Sequence, residues 1–398
     1  MKKTIYISCV LLIIFISLNG CRDDVEMVLS ETELFGQGRQ VSGFKGFYLL
    51  NEGNMGSNKA TLDYYSFETG EYTRNIYAET NPTVPKEMGD VGNDIAIYGS
   101  KLYAVINCSG KVEVMDYKTA KRITKIDIPN CRFVKFLGRY AYVTSYAGPV
   151  VIDPNYEQIG FVAKIDTTTL KEVDRCYVGF QPDELEIVEG RIYVANSGGY
   201  MGASNTTGYE RTVSVIDIRT FKEEKRIDVA YNLERIKADS RGNLWVSSRG
   251  DYKGLPARLY FIDKQQQRVT DTIPIAATNY WIDDDMLYVY GTEWSHITKE
   301  WTITYSLVDT RTHEIISKNI ITDGTDQKIE KPYGIMVDPE TKDIYITDAG
   351  NYVTPGLLYC FDKNGKLKTY IDKDGKKQKS IVRTGNIPGH FALLPIYK

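Results

Sequence analysis

The sequence predicts an all-β, seven-bladed propeller, and three observations carry that prediction. From Gly46 onward, short runs rich in Val, Ile, Tyr and Phe alternate with Gly, Asn, Asp and Pro, and no Ala- or Leu-rich helical stretch intervenes. Distinct segments recur seven times along the chain. The last copy of one of them stands at the far end, where the first repeat lacks its own.

The most regular segment is a short strand that ends in a small polar turn. Its copies are FYLLNEG (47–53), LYAVINC (102–108), AYVTSYA (141–147), IYVANSG (192–198), LWVSSRG (244–250), LYVYGTE (287–293) and IYITDAG (344–350). Each is followed by a hairpin such as VEVMDYKTAKRI or VSVIDIRTFKEE, in which a strand ends at Asp and a charged strand returns. The Asp recurs at Asp116, Asp166, Asp217, Asp263, Asp309 and Asp362, with Ser66 in the first copy, at spacings of 50, 51, 46, 46 and 53 residues. Recurrence in every repeat assigns it to capping its own turn through backbone N–H groups rather than to chemistry. A third segment precedes each strand, as in GNDIAIYG, CRFVKFLG and PDELEIVEG, and its seventh copy is PGHFALLP (388–395).

Each repeat therefore holds four strands in the order A, B, C, D, and the C-terminus supplies strand A of the first blade. Closing a ring by chain overlap removes the open sheet edges that would otherwise pair with other chains. A parallel β-helix, the structural alternative, needs shorter rungs and no hairpin in each repeat.

In such a ring the A strands line the axis, and the B-to-C and D-to-A connections gather on one face, here called upper. The B-to-C connections have grown in six of the seven repeats, whereas the C-to-D turns stay tight. Long loops confined to one face mark a functional surface. They are rich in Gly, Asn, Ser and Tyr with a few Trp and Arg, a mix that combines aromatic anchors with short hydrogen-bonding groups. The candidate ligand contacts are Asn51, Tyr146, Asn196, Tyr200, Tyr209, Arg249, Tyr252, Trp294 and Tyr352 in B-to-C loops. Arg132, Tyr231, Tyr280, Trp281 and Tyr333 add to them from the D-to-A connections.

Catalytic patterns are lacking. The three histidines, His296, His313 and His390, form no metal-binding motif, and there is no GxSxG and no phosphate loop. Asp283, Asp284 and Asp285 fall where a hairpin turn is expected, and His313 falls in a C-to-D turn with its side chain expected in solvent. Glu52, Asn196 and Asp348 begin upper loops and form a loose version of an axial metal cluster such as a propeller lactonase needs. The chain is expected to be no enzyme and to carry no cofactor or metal.

The N-terminus addresses the compartment. Lys2 and Lys3 precede an apolar run of about 14 residues (5–18), shorter than the roughly 20 needed to span a bilayer, so residues 1–20 read as a signal peptide. Leu18-Asn19-Gly20-Cys21 resembles a lipobox, which makes Cys21 the lipidation site. Residues 21–43 read as a flexible tether, residues 44–398 as the propeller. Arg22, Asp23, Asp24 and Glu26 resemble the surface-export signal of Bacteroidetes lipoproteins, which implies an outer-membrane, cell-surface location. Loss of Lys2 and Lys3 takes the net charge from −3 to about −5, and an acidic chain is a poor partner for nucleic acid. Cys108 and Cys131 fall on one face of neighbouring blades and make a candidate disulfide, while Cys176 and Cys360 read as buried thiols.

The (L/I)YV strand followed by a V-x-(V/I)-D turn resembles YncE-like and surface-layer-type propellers. With the lipobox, the acidic tether and the Tyr/Asn-rich upper loops, residues 44–398 resemble the BtuG-type surface lipoproteins of Bacteroides. That resemblance implies capture of cobalamin, as transported ligand rather than cofactor, and its delivery to a TonB-dependent transporter of the BtuB type. It places Asn51, Tyr200, Arg249, Trp294 and Tyr352 at the ligand by loop position. A glycan- or peptide-binding propeller, or a protein-docking module, uses the same loop composition.

Overall fold

In the computed structural model, which describes residues 29–151, 157–203, 208–295 and 298–397, strands form where alternation in the repeats predicts them, and seven sheets close into a ring. The A, B, C and D strands of blade 4, for example, are Pro182–Val188, Arg191–Asn196, Thr212–Asp217 and Lys222–Asp228. The A strands of blades 2, 3, 5, 6 and 7 are Gly92–Tyr98, Cys131–Leu137, Leu233–Ala238, Asn279–Asp283 and Pro332–Val337. In blade 1 the B strand Phe44–Asn51 pairs antiparallel with the A strand Pro388–Pro395, from Phe44 opposite Pro395 to Asn51 opposite Pro388. Ring closure thus runs as the repeat pattern predicts.

The apolar clusters lie between blades. Val105, Val112 and Val114 of blade 2 pack with Ala141, Val143 and Phe161 of blade 3, and the other junctions repeat this arrangement. Each such side chain, taken wholly out of water, contributes about 1.5–3 kcal/mol. The recurrent Asp behaves as its repetition predicts. Asp116, Asp166, Asp217, Asp263 and Asp309 each accept backbone N–H bonds from the residues two and three ahead. The residue four ahead then turns left-handed, as at Ala120, Leu170, Phe221, Gln267 and His313. The Asp283–Asp285 run also sits in a turn, where Asp283 and Asp284 pair with Lys342 and Asp285 with Arg241.

Three expectations need correction. First, the segment expected to be a tether is ordered over its second half. Glu31–Leu34 adds a fifth strand to the outer edge of blade 1, pairing with Glu71–Arg74. Phe35 is fully buried among Phe47, Tyr65, Tyr72 and Tyr345, because an apolar residue at the end of that strand meets the blade 1–blade 7 seam. Farther on, the Arg39 guanidinium bridges Asp338 and Glu340 at 2.6 Å each and covers the Phe67 ring. The signal peptide, Cys21 and the first residues of the tether lie outside the described residues. Second, the C-to-D connection of blade 7 is long. A small hairpin, Thr369–Ile371 with Lys377–Lys379, separates Pro355–Phe361 from the true D strand Ile381–Asn386, and Tyr370 Oη donates to the Leu34 carbonyl at 2.7 Å. Third, His313 is largely covered rather than solvated. It packs on Trp245 and Phe261, with Nδ1 2.7 Å from Asp271.

The N-terminal arm therefore straps the seam where the ring closes. Burial works against ionisation of Glu340, but bonds from Ser42, Arg39 and the Gly43 N–H outweigh it and hold the carboxyl at about 2. A depressed acid stabilises above its unfolded pKa and loses that contribution as pH falls through the folded value. Between pH 4.5 and 2 the strap should loosen. The protection factor of the Gly43 amide, its exchange rate referred to an unfolded chain at the same pH, is expected to fall over that interval ahead of those in the blade 4 sheet; an equal fall at both would show that the strap has no independent stability.

Candidate functional site

The upper end of each blade is shaped by one repeated irregularity. In blades 1 to 5 and blade 7 the pairing of A with B shifts after the first A residue, a β-bulge that inserts one residue and re-aims its side chain. The bulges lie at Asn93, Arg132, Asp183, Glu234, Tyr333 and Gly389, and these residues surround the axial mouth. Blade 6 lacks the shift, and its A strand pairs continuously from Asn279 opposite Tyr290 to Asp283 opposite Met286. Its A strand also stands further from that of blade 5 than any other neighbouring pair does.

Three groups of side chains gather around the mouth. Between blades 3 and 4, the Arg132 guanidinium donates to Asp183 at 3.0 Å and lies 4.7 Å over the Tyr146 ring. Tyr146 Oη donates to the same carboxylate oxygen at 2.7 Å, and Tyr200 meets Tyr146 edge-on at 5.1 Å. Burial opposes charge on Arg132, yet Tyr146 and Asp183 hold its pKa above the ordinary value. Between blades 7 and 1, Glu52 takes a bond from Tyr333 Oη and another from His390 Nε2, both at 2.8 Å, and Tyr352 stands 6.1 Å from Tyr333. Burial and the Glu52 carboxylate push the Tyr333 phenol well above its usual range, so it remains a donor.

The third group spans blades 5 and 6. Arg249, whose side chain keeps 44% of its surface in solvent, chelates the buried Glu234 through two nitrogens, and this pairing raises its pKa despite partial desolvation. Beyond it a cleft of about 80 Å³ is lined by Tyr252, Lys253, Leu255 and Pro256 on one side and by Thr292, Glu293, Trp294 and Trp301 on the other. The second wall is a ribbon formed where Met286–Ser295 and Glu300–Asp309 run past the rest of their blade.

The candidate contacts divide accordingly. Arg132, Tyr146, Tyr200, Arg249, Tyr252, Trp294, Tyr333 and Tyr352 come to the upper face in these groups, and Tyr209 joins them beside Tyr252 and Arg249. The other five candidates are placed elsewhere. Asn51 and Asn196 are fully buried ends of B strands: Asn51 donates to the Thr61 hydroxyl, and Asn196 accepts from the Gly179 N–H and donates to the Ser214 hydroxyl, so each holds the neighbouring chain rather than facing a ligand. Tyr280 is core, its hydroxyl donating to the Trp245 carbonyl at 2.6 Å, because the wide blade 5–blade 6 junction needs a large ring to fill it. Trp281 alternates to the opposite side of the same strand and packs against the clusters of blades 7 and 1. Tyr231 faces an outer groove under the Arg211 guanidinium, with Arg258 and Tyr260.

Asp183, Glu234 and Trp301 were absent from the sequence reading of the ligand surface. The signal for Asp183 and Glu234 was present as an acidic residue in second position of the A segment. Glu52, Asn196 and Asp348 make no metal cluster. Asp348 accepts the Glu330, Lys331 and Gly350 N–H groups, and among the described residues no group of His, Cys, Asp and Glu is arranged for a metal. His296 lies outside the described residues.

The candidate disulfide is corrected too: Cys108 and Cys131 are free thiols, as are Cys176 and Cys360. Cys131 Sγ points into the blade 2–blade 3 core toward the Ile106 and Lys111 carbonyls, whereas Cys108 Sγ lies beside Asn107 Oδ1 on the upper side. Burial pushes both up, Cys108 to about 11 and Cys131 to about 12.

The fold and its upper face define a seven-bladed propeller with a polar, aromatic-rimmed axial mouth. Residues 45–377 match the model of a family described as a domain of unknown function, DUF5074, and the chain belongs to that family. No curated protein matches the chain. Among solved structures it is similar to a quinonprotein alcohol dehydrogenase-like protein from Bacteroides thetaiotaomicron, at 14% identity and TM-score 0.56, covering 88% of this chain and 79% of that one. It is also similar to Kuenenia stuttgartiensis hydrazine synthase, at 16% identity and TM-score 0.53, covering 69% and 77%. At these identities the likeness is one of fold. Among the described residues no helix is long and apolar enough to cross a membrane.

Two measurements check the site. The intact mass of the chain lacking residues 1–21 should be the same before and after reduction, with four thiols alkylated on unfolding; a gain of two hydrogens on reduction would place a disulfide in it. Asp183→Ala strands a buried guanidinium, which costs about 3–5 kcal/mol. For a ring of this size the melting midpoint should fall by roughly 5 °C, and an unchanged midpoint would mean that Arg132 finds water or another acceptor.

Proposed function

We propose that this chain is a binding protein without catalytic activity that captures a corrinoid of the cobalamin class on its upper face. A lipid on Cys21 would hold it at the outer-membrane surface, and it would pass its ligand to a TonB-dependent transporter of the BtuB type. The observation that carries the reading is the pairing of charge at the mouth. Arg132 with Asp183, Arg249 and Arg235 with Glu234, and Glu52 with Tyr333 and His390 leave a broad face of hydrogen-bonding groups whose charged members each have a partner. Such a face suits a large, amide-bearing ligand better than a phosphate or a nucleic acid, which need an unpaired positive field. The aromatic rings of Tyr200, Tyr252, Trp294 and Tyr352 supply apolar cover at the rim, where a few polar groups fix orientation within a mainly apolar enclosure. The family resemblance in the repeat, lipobox and loops points to the same ligand.

Calorimetric titration of the chain lacking residues 1–21 with cyanocobalamin tests this. Near-stoichiometric binding is expected, weakened at least about tenfold by combining Tyr200→Ala with Tyr352→Ala. Absence of both heat and thermal shift at high micromolar ligand would sink the corrinoid reading, and the same assay with oligosaccharides would then be the way to find the ligand.

A further inference from the structure

We propose that the cleft between blades 5 and 6 is a separate subsite for a planar heteroaromatic ring. Within the corrinoid reading, on which the identity of the carrier rests, that ring is the base of the nucleotide arm.

The geometry sets this cleft apart from the axial mouth. It opens at the one junction where the A strands stand apart and where blade 6 lacks the bulge. Its outer wall is the two-stranded ribbon, on which Trp294 and Trp301 are direct cross-strand partners, with ring centroids 5.8 Å apart and planes at 65°. Trp301 is 52% exposed in the absence of any ligand, an unusual state for so large an apolar side chain. The facing wall is the blade 5 loop, where Tyr252 and Leu255 are also about half exposed. Two features hold that wall in place. Asp251 Oδ1 accepts the N–H groups of Lys253, Gly254 and Leu255 at 2.8–2.9 Å, and Tyr252 between them is left-handed, with φ 55°. Glu293 Oε1 accepts the Ala257 N–H at 3.1 Å and so ties the ribbon to the loop across the floor.

Arg249 closes the inner end, where it shares the Glu234 carboxylate with Arg235, and Lys253 and Glu293 line the cleft as one charge of each sign. What remains is aromatic surface on two sides with Thr292 and Glu293 beneath it. A flat ring gains most from such walls through face and edge contacts, and a ring nitrogen or attached hydroxyl can meet the polar floor. The cleft encloses only about 80 Å³, so a ring would enter it by one edge with the rest against the exposed Trp301 wall, and a whole corrinoid is excluded.

The test compares cyanocobalamin with dicyanocobinamide, which has the corrin ring and lacks the nucleotide arm. In the unaltered protein cobinamide should bind at least about tenfold more weakly. Trp301→Ala, at an exposed position, should abolish that preference while leaving cobinamide affinity unchanged. Equal affinity for the two corrinoids, or a Trp301→Ala loss shared by both, overturns the subsite and leaves the corrinoid reading intact. If neither corrinoid binds, the corrinoid reading falls and the free base decides the subsite. Saturable quenching of tryptophan fluorescence by 5,6-dimethylbenzimidazole, lost in Trp301→Ala, would still support it. No quenching, or displacement of the base by methyl glucoside at lower concentration than the base itself requires, would overturn it.

Discussion

The pairing of residues 44–51 with 388–395 is the constraint on which the rest of the structure depends. Each blade is a twisted sheet whose two faces are both apolar, and such a sheet is stable only with neighbours on both sides. The clusters that bury these faces span blades rather than lying inside them, so no blade has a core of its own. Opening the ring at blade 1 would uncover two sheet faces at once and leave the B strand of blade 1 without its inner partner. The added strand Glu31–Leu34, the buried Phe35 and the Arg39 bridge all reinforce this one seam. That concentration of contacts fits a ring whose one non-covalent joint within a blade lies there.

Most of the architecture was legible because it repeats. A single Tyr-Val strand has many readings, but seven copies at 46–53 residues with an Asp-capped turn leave few. The features that were not legible are those that break the period. The strand at Glu31–Leu34 has no copy elsewhere, and its polar sequence resembles a linker. The blade 7 insertion hides behind an Asp turn at Asp362, which the sequence pattern does not tell apart from the others although its bonds come from Asn364 and Lys366, two and four ahead, and its left-handed residue is Gly365. For the site, aromatic residues in loops were the useful signal. Asn51 and Asn196 misled because a loop's first polar residue is as often needed by the backbone as by a ligand. Tyr280 and Trp281 misled because period-two alternation sends adjacent residues to opposite faces of the sheet, and both faces of a blade are covered by a neighbour.

The site itself grows from two small departures from regular pairing. The bulge at the head of six A strands turns one residue per blade toward the axis, which is how Arg132, Asp183, Glu234 and Tyr333 come within reach of the upper loops. An inserted residue reverses the phase of the alternation, but here it follows the first residue of the strand, so too little of the pattern precedes it for the bulge to be read from sequence. Where the bulge is missing, in blade 6, the junction widens, Tyr280 fills its lower part and a cleft remains above. Variation in one backbone irregularity thus divides the upper face into a polar centre and an aromatic margin without any change in blade number.

The strand order of blade 1 also has a consequence for biogenesis. Residues 388–395 leave the ribosome after every other blade strand, yet the inner position they fill belongs to the blade whose B strand was made first. Six blades can assemble in succession as they emerge, but the first must wait, with Leu49 and Leu50 uncovered, for a partner more than 300 residues downstream. Contacts that distant form slowly, and an unfinished sheet is open to mispairing meanwhile. The chain is therefore one for which the interval between the first strand and the last is the hazardous part of its life, and in which truncation of a single C-terminal strand has the reach of a lesion in the middle of a core.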